Sequence, residues 1–403
     1  MKSVLVLGGG RVGKSVAELL LGCGRGAFQV TLADHDEANL RTAEQNLRRL
    51  KDFVPEPPRF AFRKTDATSA ASLREALKGH DYVVCMLPFN LVEPVAAAAY
   101  ELGVHYFDVT EDVRATESVG ALAAGGRARS ALVPQCGLAP GYIAIAAHDV
   151  AQGFDRIHEL TLRVGALPQF PTNALKYNST WSTAGLVNEY CEPCKVMLDG
   201  TVVKAPALEG LEHFSLEGIE YEAFYTSGGV GSLIETLTAE RKTGPDSRIA
   251  YKTIRYPGHR DLMKLLLHDL RLGEKAGATA AAPGGRVFDR TLLMALLDHA
   301  VPRTIQDVVV IFVNCIGMKN GRLEQFNLRR LIRAKEMFGR TWPAIELTTA
   351  AGVCAMVDLH RMGRLSQTGL ILQEQCTLAM LRETPLAAVY EETEEMCAEP
   401  RSR

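Results

Sequence analysis

Apolar and polar positions follow two regimes along this 403-residue chain. Up to Val133, short apolar runs of strand length alternate with stretches of helical period. The strands fall at residues 4–7, 28–33, 59–62, 82–86, 105–108 and 131–133, and the intervening helices at residues 36–50, 70–77, 92–102 and 114–130. Val12, Val16, Leu19 and Leu20 form the apolar stripe of a helix between the first two strands. Regular strand–helix alternation predicts an α/β fold with a doubly wound parallel sheet. From Ile157 the strands lengthen, as at residues 158–164 and 249–255, and helices thin out, which predicts an α+β domain on a mixed or antiparallel sheet. Helical period returns at residues 345–361 and 370–381. The expected organisation is a nucleotide-binding domain over 1–134, a substrate and dimerisation domain over 135–341, and a helical segment over 342–403 that packs back on the first domain. Residues 276–285 read as a mobile loop and 391–395 as a solvated acidic end.

The first strand runs into Gly8-Gly9-Gly10-Arg11-Val12-Gly13-Lys14-Ser15, which fits two phosphate-binding patterns. As G-x-G-x-x-G on Gly8, Gly10 and Gly13 it is a dinucleotide fingerprint, and as G-x-x-x-x-G-K-S it is the P-loop of an NTPase. A dinucleotide site needs an acid at the tip of the second strand to accept from the ribose diol, and Asp34 stands there. A P-loop needs a carboxylate at the end of a later apolar strand, whereas Asp81 and Asp307 stand at the starts of theirs. These features favour the Rossmann fold and NAD. NADP is the less favoured cofactor, because Asp34 would repel a 2′-phosphate and neither His35 nor Asp36 is an arginine. Arg11, within the turn, could reach a 2′-phosphate and so counts toward NADP.

A formal charge of -2 argues against nucleic acid, and no apolar run approaches the length of a membrane span. Nine scattered cysteines suit reduced thiols, so a cytoplasmic protein is expected. Cys191-Glu192-Pro193-Cys194 has C-x-x-C spacing without a second pair to complete a tetrahedral set, so no metal site is expected. An exposed edge of the second sheet would suit a homodimer.

Ligands in open α/β sheets bind beyond the carboxyl ends of the strands. That rule selects Asp66 for the adenine, Leu87, Pro88 and Asn90 for the nicotinamide half with Val12, and Asp108 and Cys136 for the substrate side. In the second domain, Tyr251-Lys252-Thr253-Ile254-Arg255-Tyr256-Pro257-Gly258-His259 ends a strand with cations and aromatics. Arg255 could fork onto a substrate carboxylate, and His259 could move a proton. Ser227 and Gly228 lie in a glycine-rich loop that could face substrate, and Lys176, Tyr177 and Glu189 complete the acid–base candidates.

Taken in order, Leu-Gly-Gly-Gly-Arg-Val-Gly, Gln135-Cys136-Gly137-Leu138-Ala139-Pro140-Gly141, Thr180-Trp181-Ser182 with Gly185-Leu186-Val187-Asn188-Glu189-Tyr190, Thr226-Ser227-Gly228-Gly229 and the Tyr251–His259 run resemble the saccharopine dehydrogenase family. The resemblance implies NAD(P)-linked oxidation of a carbon–nitrogen bond in an amino acid of lysine metabolism. Saccharopine is the first substrate it implies and lysine, oxidised to allysine, the second. Saccharopine-reducing members carry an arginine for the glutamyl carboxylate where this chain has Ala184. A nucleotide sensor or NTPase is the alternative of another class.

Overall fold

The computed structural model describes residues 1–124, 129–275 and 288–391; the loop at 276–285, the end of the helix expected over 114–130 and nearly all of the acidic tail lie outside them. Strands β1 (Lys2–Leu7), β2 (Phe28–Asp34), β3 (Phe60–Lys64), β4 (Tyr82–Cys85), β5 (His105–Asp108) and β6 (Ala131–Val133) alternate with helices α1 (Arg11–Cys23), α2 (Glu37–Arg49), α3 (Ala70–Leu77), α4 (Val92–Leu102) and α5 (Val113–Ala124). The strands pair in the order 3-2-1-4-5-6, all parallel. Val4, Leu5, Val6 and Leu7 are all buried, as expected for a strand covered by helices on both faces. Asp36 and Ser69 cap α2 and α3 through their side chains, and Gly103 ends α4 in the left-handed conformation.

Helix α6 (Tyr142–Gln152) leads into the second domain. Its sheet is built from β7 (Arg156–Pro168), β8 (Cys194–Leu198), β9 (Thr201–Ala205), β10 (Glu212–Leu216), β11 (Ile219–Tyr225), β12 (Arg248–Arg255), β13 (Asp307–Lys319) and β14 (Arg322–Arg333). The path is β10-β11-β12-β7-β13-β14, with the β8–β9 hairpin joined to β12. Only the β12–β7 pair is parallel, so among the described strands this sheet is mixed. Helices α7 (Thr183–Cys191), α8 (Leu233–Ala239), α9 (His259–Lys264) and α10 (Arg290–Ala300) complete this part. Three of its hairpins turn on residue pairs with positive φ, namely Asp199-Gly200, Glu217-Gly218 and Asn320-Gly321. Two consecutive left-handed residues make the turn whose twist matches the flanking strands.

A small hairpin, β15 (Lys335–Met337) and β16 (Arg340–Trp342), precedes α11 (Ala344–Arg361). Asp307, at the start of β13, accepts hydrogen bonds from the Ala344 and Ile345 amides and so caps α11. The helix lies against α1, and nearly every residue of it is buried. Beyond it the structure departs from the helix expected over residues 370–381. The chain instead forms β17 (Gly369–Leu370), which adds a seventh parallel strand beside β6, then a 3-10 turn and the single turn α12 (Leu378–Leu381). The open β6 edge offers backbone partners, such as the Leu132 carbonyl for the Ile371 amide, and that pairing overrides local helical period.

Candidate active site and cofactor cleft

The glycine turn between β1 and α1 has the geometry a dinucleotide needs. Gly8 has φ +102°, and a Cβ there would stand 2.7 Å from the Met86 carbonyl oxygen. A Cβ on Gly13 would collide with the Gly8 carbonyl, so helix and strand pack on bare backbone, whereas one on Gly10 would meet nothing within 4 Å. That is the division of labour expected of the motif: tight turn, open approach for a pyrophosphate, close helix packing. Asp34 closes the cradle, accepting the Gly9 amide at 2.6 Å and the Asp36 amide at 2.7 Å, with Asn39 Nδ2 at 3.3 Å and His35 Nδ1 at 3.2 Å.

From this turn a cavity of about 430 Å³ opens between the domains. The first domain lines it with Gly10, Arg11, Val12, Gly13, Leu87 and Pro88, and with Thr110 and Glu111 after β5. The second domain contributes Thr180, Trp181, Ala184, Gly185 and Glu189 around α7, and Tyr251, Thr253 and Arg255 on one face of β12. Alternate residues of a strand share a face, which is why 251, 253 and 255 arrive together.

Arg255 is 2% exposed. Its Nη1 donates to the Ile254 carbonyl at 2.8 Å, and its guanidinium lies 5.3 Å from the Tyr177 ring centroid and 5.8 Å from that of Tyr190. Its Nε is buried without a hydrogen-bond partner. A second orphaned polar atom in the cavity wall is Thr180 Oγ1. Among the described residues no carboxylate comes within ion-pair distance of Arg255; Tyr190, Tyr177 and the more distant Glu189 nevertheless favour its charged form against the cost of burial. Two carboxyls share the space. Burial, and then the neighbouring Glu111, pushes the Glu189 carboxyl well above the usual carboxylate range. Burial, with Asp112 and Asp108 behind it, lifts Glu111 to about 7.

Several expected site residues stand elsewhere. His259 is enclosed: Nδ1 meets the Leu175 carbonyl at 2.8 Å, Nε2 meets the Tyr190 hydroxyl at 3.1 Å, and the ring stacks on Phe224. Burial, then Arg255, drops its pKa to about 3, so it is a neutral packing group away from the cavity wall. Lys176 is exposed and donates to the Pro257 carbonyl, and Tyr177 lies behind Arg255. Asp108 is fully buried and accepts from the Tyr106 hydroxyl and from the Thr110 and Gln135 amides; burial raises it to about 6. It fastens β5 to the interdomain crossing, and Cys136 Sγ donates to the Asp108 carbonyl beside it. Neither lines the cavity.

Gly228 forms an interdomain contact, and Ser227 bonds within its own domain; neither lines the cavity. A Cβ on Gly228 would collide with the Glu111 carbonyl, and the Ser227 amide donates to the Glu189 carbonyl. Asp66 closes its own turn by accepting from the Thr68 amide and hydroxyl, and Asn90 is exposed outside the cavity wall. Arg11 points away from the Asp34 end; it reaches the Thr180 and Trp181 carbonyls at 3.3 and 3.2 Å and ties the glycine turn to the second domain. Burial pushes the Cys191 and Cys194 thiols up to about 11 and about 12, which keeps them protonated, and no group of three or more His, Cys, Asp or Glu that could hold a metal ion occurs among the described residues. No helix among those residues is long and apolar enough to cross a membrane. Glu111 escaped notice in the sequence although it lies one residue past Thr110. The strand-end rule pointed to its loop, but nothing local marked which acid would turn inward.

A parallel sheet whose glycine turn opens onto a cleft closed by a mixed-sheet domain defines a two-domain, NAD(P)-binding oxidoreductase. The saccharopine dehydrogenase NADP-binding domain matches residues 4–131, and the saccharopine dehydrogenase C-terminal domain matches residues 137–386. The chain belongs to the saccharopine dehydrogenase family. Its fold is similar to that of an apo saccharopine dehydrogenase (L-Glu forming) from Saccharomyces cerevisiae, with a TM-score of 0.72 over 96% of each chain at 16% identity. A DAP dehydrogenase from C. glutamicum, in complex with DAP, aligns over 94% of this chain and 95% of its own at 12% identity and a TM-score of 0.45.

Proposed function

We propose that this chain oxidises a carbon–nitrogen bond of a lysine-derived amino acid, with NAD as the preferred acceptor. The observation that carries the reading is Arg255, a buried guanidinium whose Nε has no hydrogen-bond partner, on the wall of a cavity that begins at the glycine turn. A planar fork with a free Nε is suited to a carboxylate. The cofactor supplies the hydride acceptor when bound, its pyrophosphate against Gly10 and its ribose diol against Asp34, where the longer contacts from Asn39 and His35 are the ones a diol would replace. Asp34 disfavours a 2′-phosphate, and the nearby Lys64 is already committed to Glu37 at 2.8 Å.

Arg255 holds the substrate carboxylate while Leu87, Pro88 and Val12 form the apolar wall that keeps water from the reacting carbon. The carbon loses a hydride and the nitrogen a proton, and the resulting imine adds water and splits into an aldehyde and an amine. Saccharopine is the first substrate of this reading, in keeping with the family. Lysine is the second, favoured by Ala184, which faces the cavity where a further cation would be needed for a glutamyl carboxylate. Reduced-cofactor formation with saccharopine and with lysine, each with NAD and NADP, tests the assignment. Turnover of saccharopine is the expected result, turnover of lysine alone selects the second reading, and turnover of neither overturns the substrate class.

A further inference from the structure

Glu111 and Glu189 come from different domains and meet in the cavity. Glu111 follows β5, and its Oε1 would stand 3.2 Å from a Cβ on Gly185, in the first turn of α7. Glu189 lies four residues further along the same helix, on the same face. The small residue at 185 lets the Glu111 carboxyl settle on the helix one turn from Glu189. Among the described residues neither carboxyl has an ion-pair partner. The two orphaned polar groups, Arg255 Nε and Thr180 Oγ1, belong to residues that line the same cavity, so it is a built polar chamber that holds one guanidinium and two carboxyls.

We propose that Glu111 and Glu189 form a cross-domain dicarboxyl site that receives the reacting ammonium group of the substrate while Arg255 holds its carboxylate. The inference rests on the amine-dehydrogenase reading and narrows it to amino acids that carry a second nitrogen on the side chain. Two facing carboxyls cannot both ionise cheaply in a buried chamber, and a bound ammonium removes that penalty. The charged and titratable groups around the pair are Asp108 and Asp112 from its own loop, Arg255 and Tyr251 from β12, Tyr177 beneath Arg255, Tyr190 from α7, Cys194 from β8, and Arg11 from α1. None of these supplies a counter-charge bonded to either carboxyl.

Without substrate, the pair destabilises the folded chain as pH rises. Glu111 binds its proton up to about 7 when folded but only to its ordinary 4.5 when unfolded, so its unfavourable contribution develops between those values. Glu111→Gln and Glu189→Gln should each raise Tm at pH 8 by about 2 to 4 °C, with no gain at pH 4.5, and the double variant should gain less than the sum. In the presence of NAD, L-lysine should raise the Tm of the wild type at pH 8, L-norleucine should not, and either variant should lose the lysine effect while keeping its affinity for NAD. Equal stabilisation by norleucine, or a lysine effect that survives in both variants, overturns the ammonium site. Pure additivity with no pH-dependent gain shows that the carboxyls do not face one another. Failure of both saccharopine and lysine to turn over would sink the substrate reading alone, because the Tm profile of the ligand-free protein judges the pair independently.

Discussion

At the residue scale, function turns on which polar groups are left without partners. Arg255→Ala removes a charge-assisted fork, and kcat/KM for the amine should fall about 10- to 100-fold while NAD affinity stays near that of the wild type. Arg255→Lys should also be impaired, because a point charge on a flexible stem cannot reproduce the planar geometry. Steady-state kinetics and calorimetric NAD titration check both; an unaltered kcat/KM in Arg255→Ala would make the arginine a packing group for Tyr177 and Tyr190. Asp34→Ser should weaken NAD binding and relax discrimination against NADP, read as the ratio of the two dissociation constants. Since Asp34 also accepts the Gly9 amide at 2.6 Å, thermal unfolding should be measured alongside, to separate loss of the turn from loss of ribose recognition. Strand-end position brings Arg255 and Asp34 forward from the sequence and residue chemistry brings Glu189; the structure puts Arg255 and Glu189 on the cavity wall and Asp34 against the glycine turn. The same criteria also picked out His259 and Asp108, because a sequence does not show that a polar side chain has already spent its hydrogen bonds within the protein.

At the element scale, legibility follows how local the determining interaction is. The alternation of buried strands and amphipathic helices up to Val133 is local, and it specified the parallel sheet. The turn of Asp199-Gly200 is local too, written in two residues that tolerate positive φ. Residues 370–381 have helical period but form an α-helix only at Leu378–Leu381, because the outcome at their start depends on a sheet edge more than two hundred residues away in sequence. Helix α11 shows the complementary case, in which a helix evident from period acquires its meaning only from what surrounds it. Where it passes the interdomain crossing, a Cβ on Gly352 would collide with the Gly137 carbonyl and stand 2.9 Å from that of Cys136. Backbone on both sides leaves no flexible atom to give way. Gly352→Ala should therefore destabilise the protein despite the higher helix propensity of alanine, by roughly 1 to 3 kcal/mol as for other overpacked sites, and denaturant unfolding would show the loss. A gain of stability would mean that the crossing can shift.

At the scale of the whole molecule, the two sheets share one core. A single apolar cluster runs from Val4, Val6 and Leu32 through Tyr142 and Ile143 to Leu162, Val309 and Ile311, with α11 contributing residues from Ala344 to Leu359 between them. The cleft is thus a gap at the rim of a joined body, and the domains hold the groups that line it in fixed register. Arg340 fastens the junction. It contacts both oxygens of the 2%-exposed Glu18 carboxylate at 3.0 and 3.1 Å, donates to Ser15 Oγ at 3.2 Å, and lies 3.9 Å from the Trp342 ring centroid. Removing one member of such a pair leaves a buried charge, so Arg340→Ala should cost about 3 to 5 kcal/mol. Replacing both members with apolar residues of similar volume, Glu18→Leu with Arg340→Met, should recover much of that loss, since the desolvation of each charge disappears with the pair. Because the core is continuous, calorimetry should record one cooperative transition in the wild type. In Arg340→Ala that transition should shift downward as a unit. Its separation into two transitions would instead show that the ion pair, and not the shared core, couples the domains.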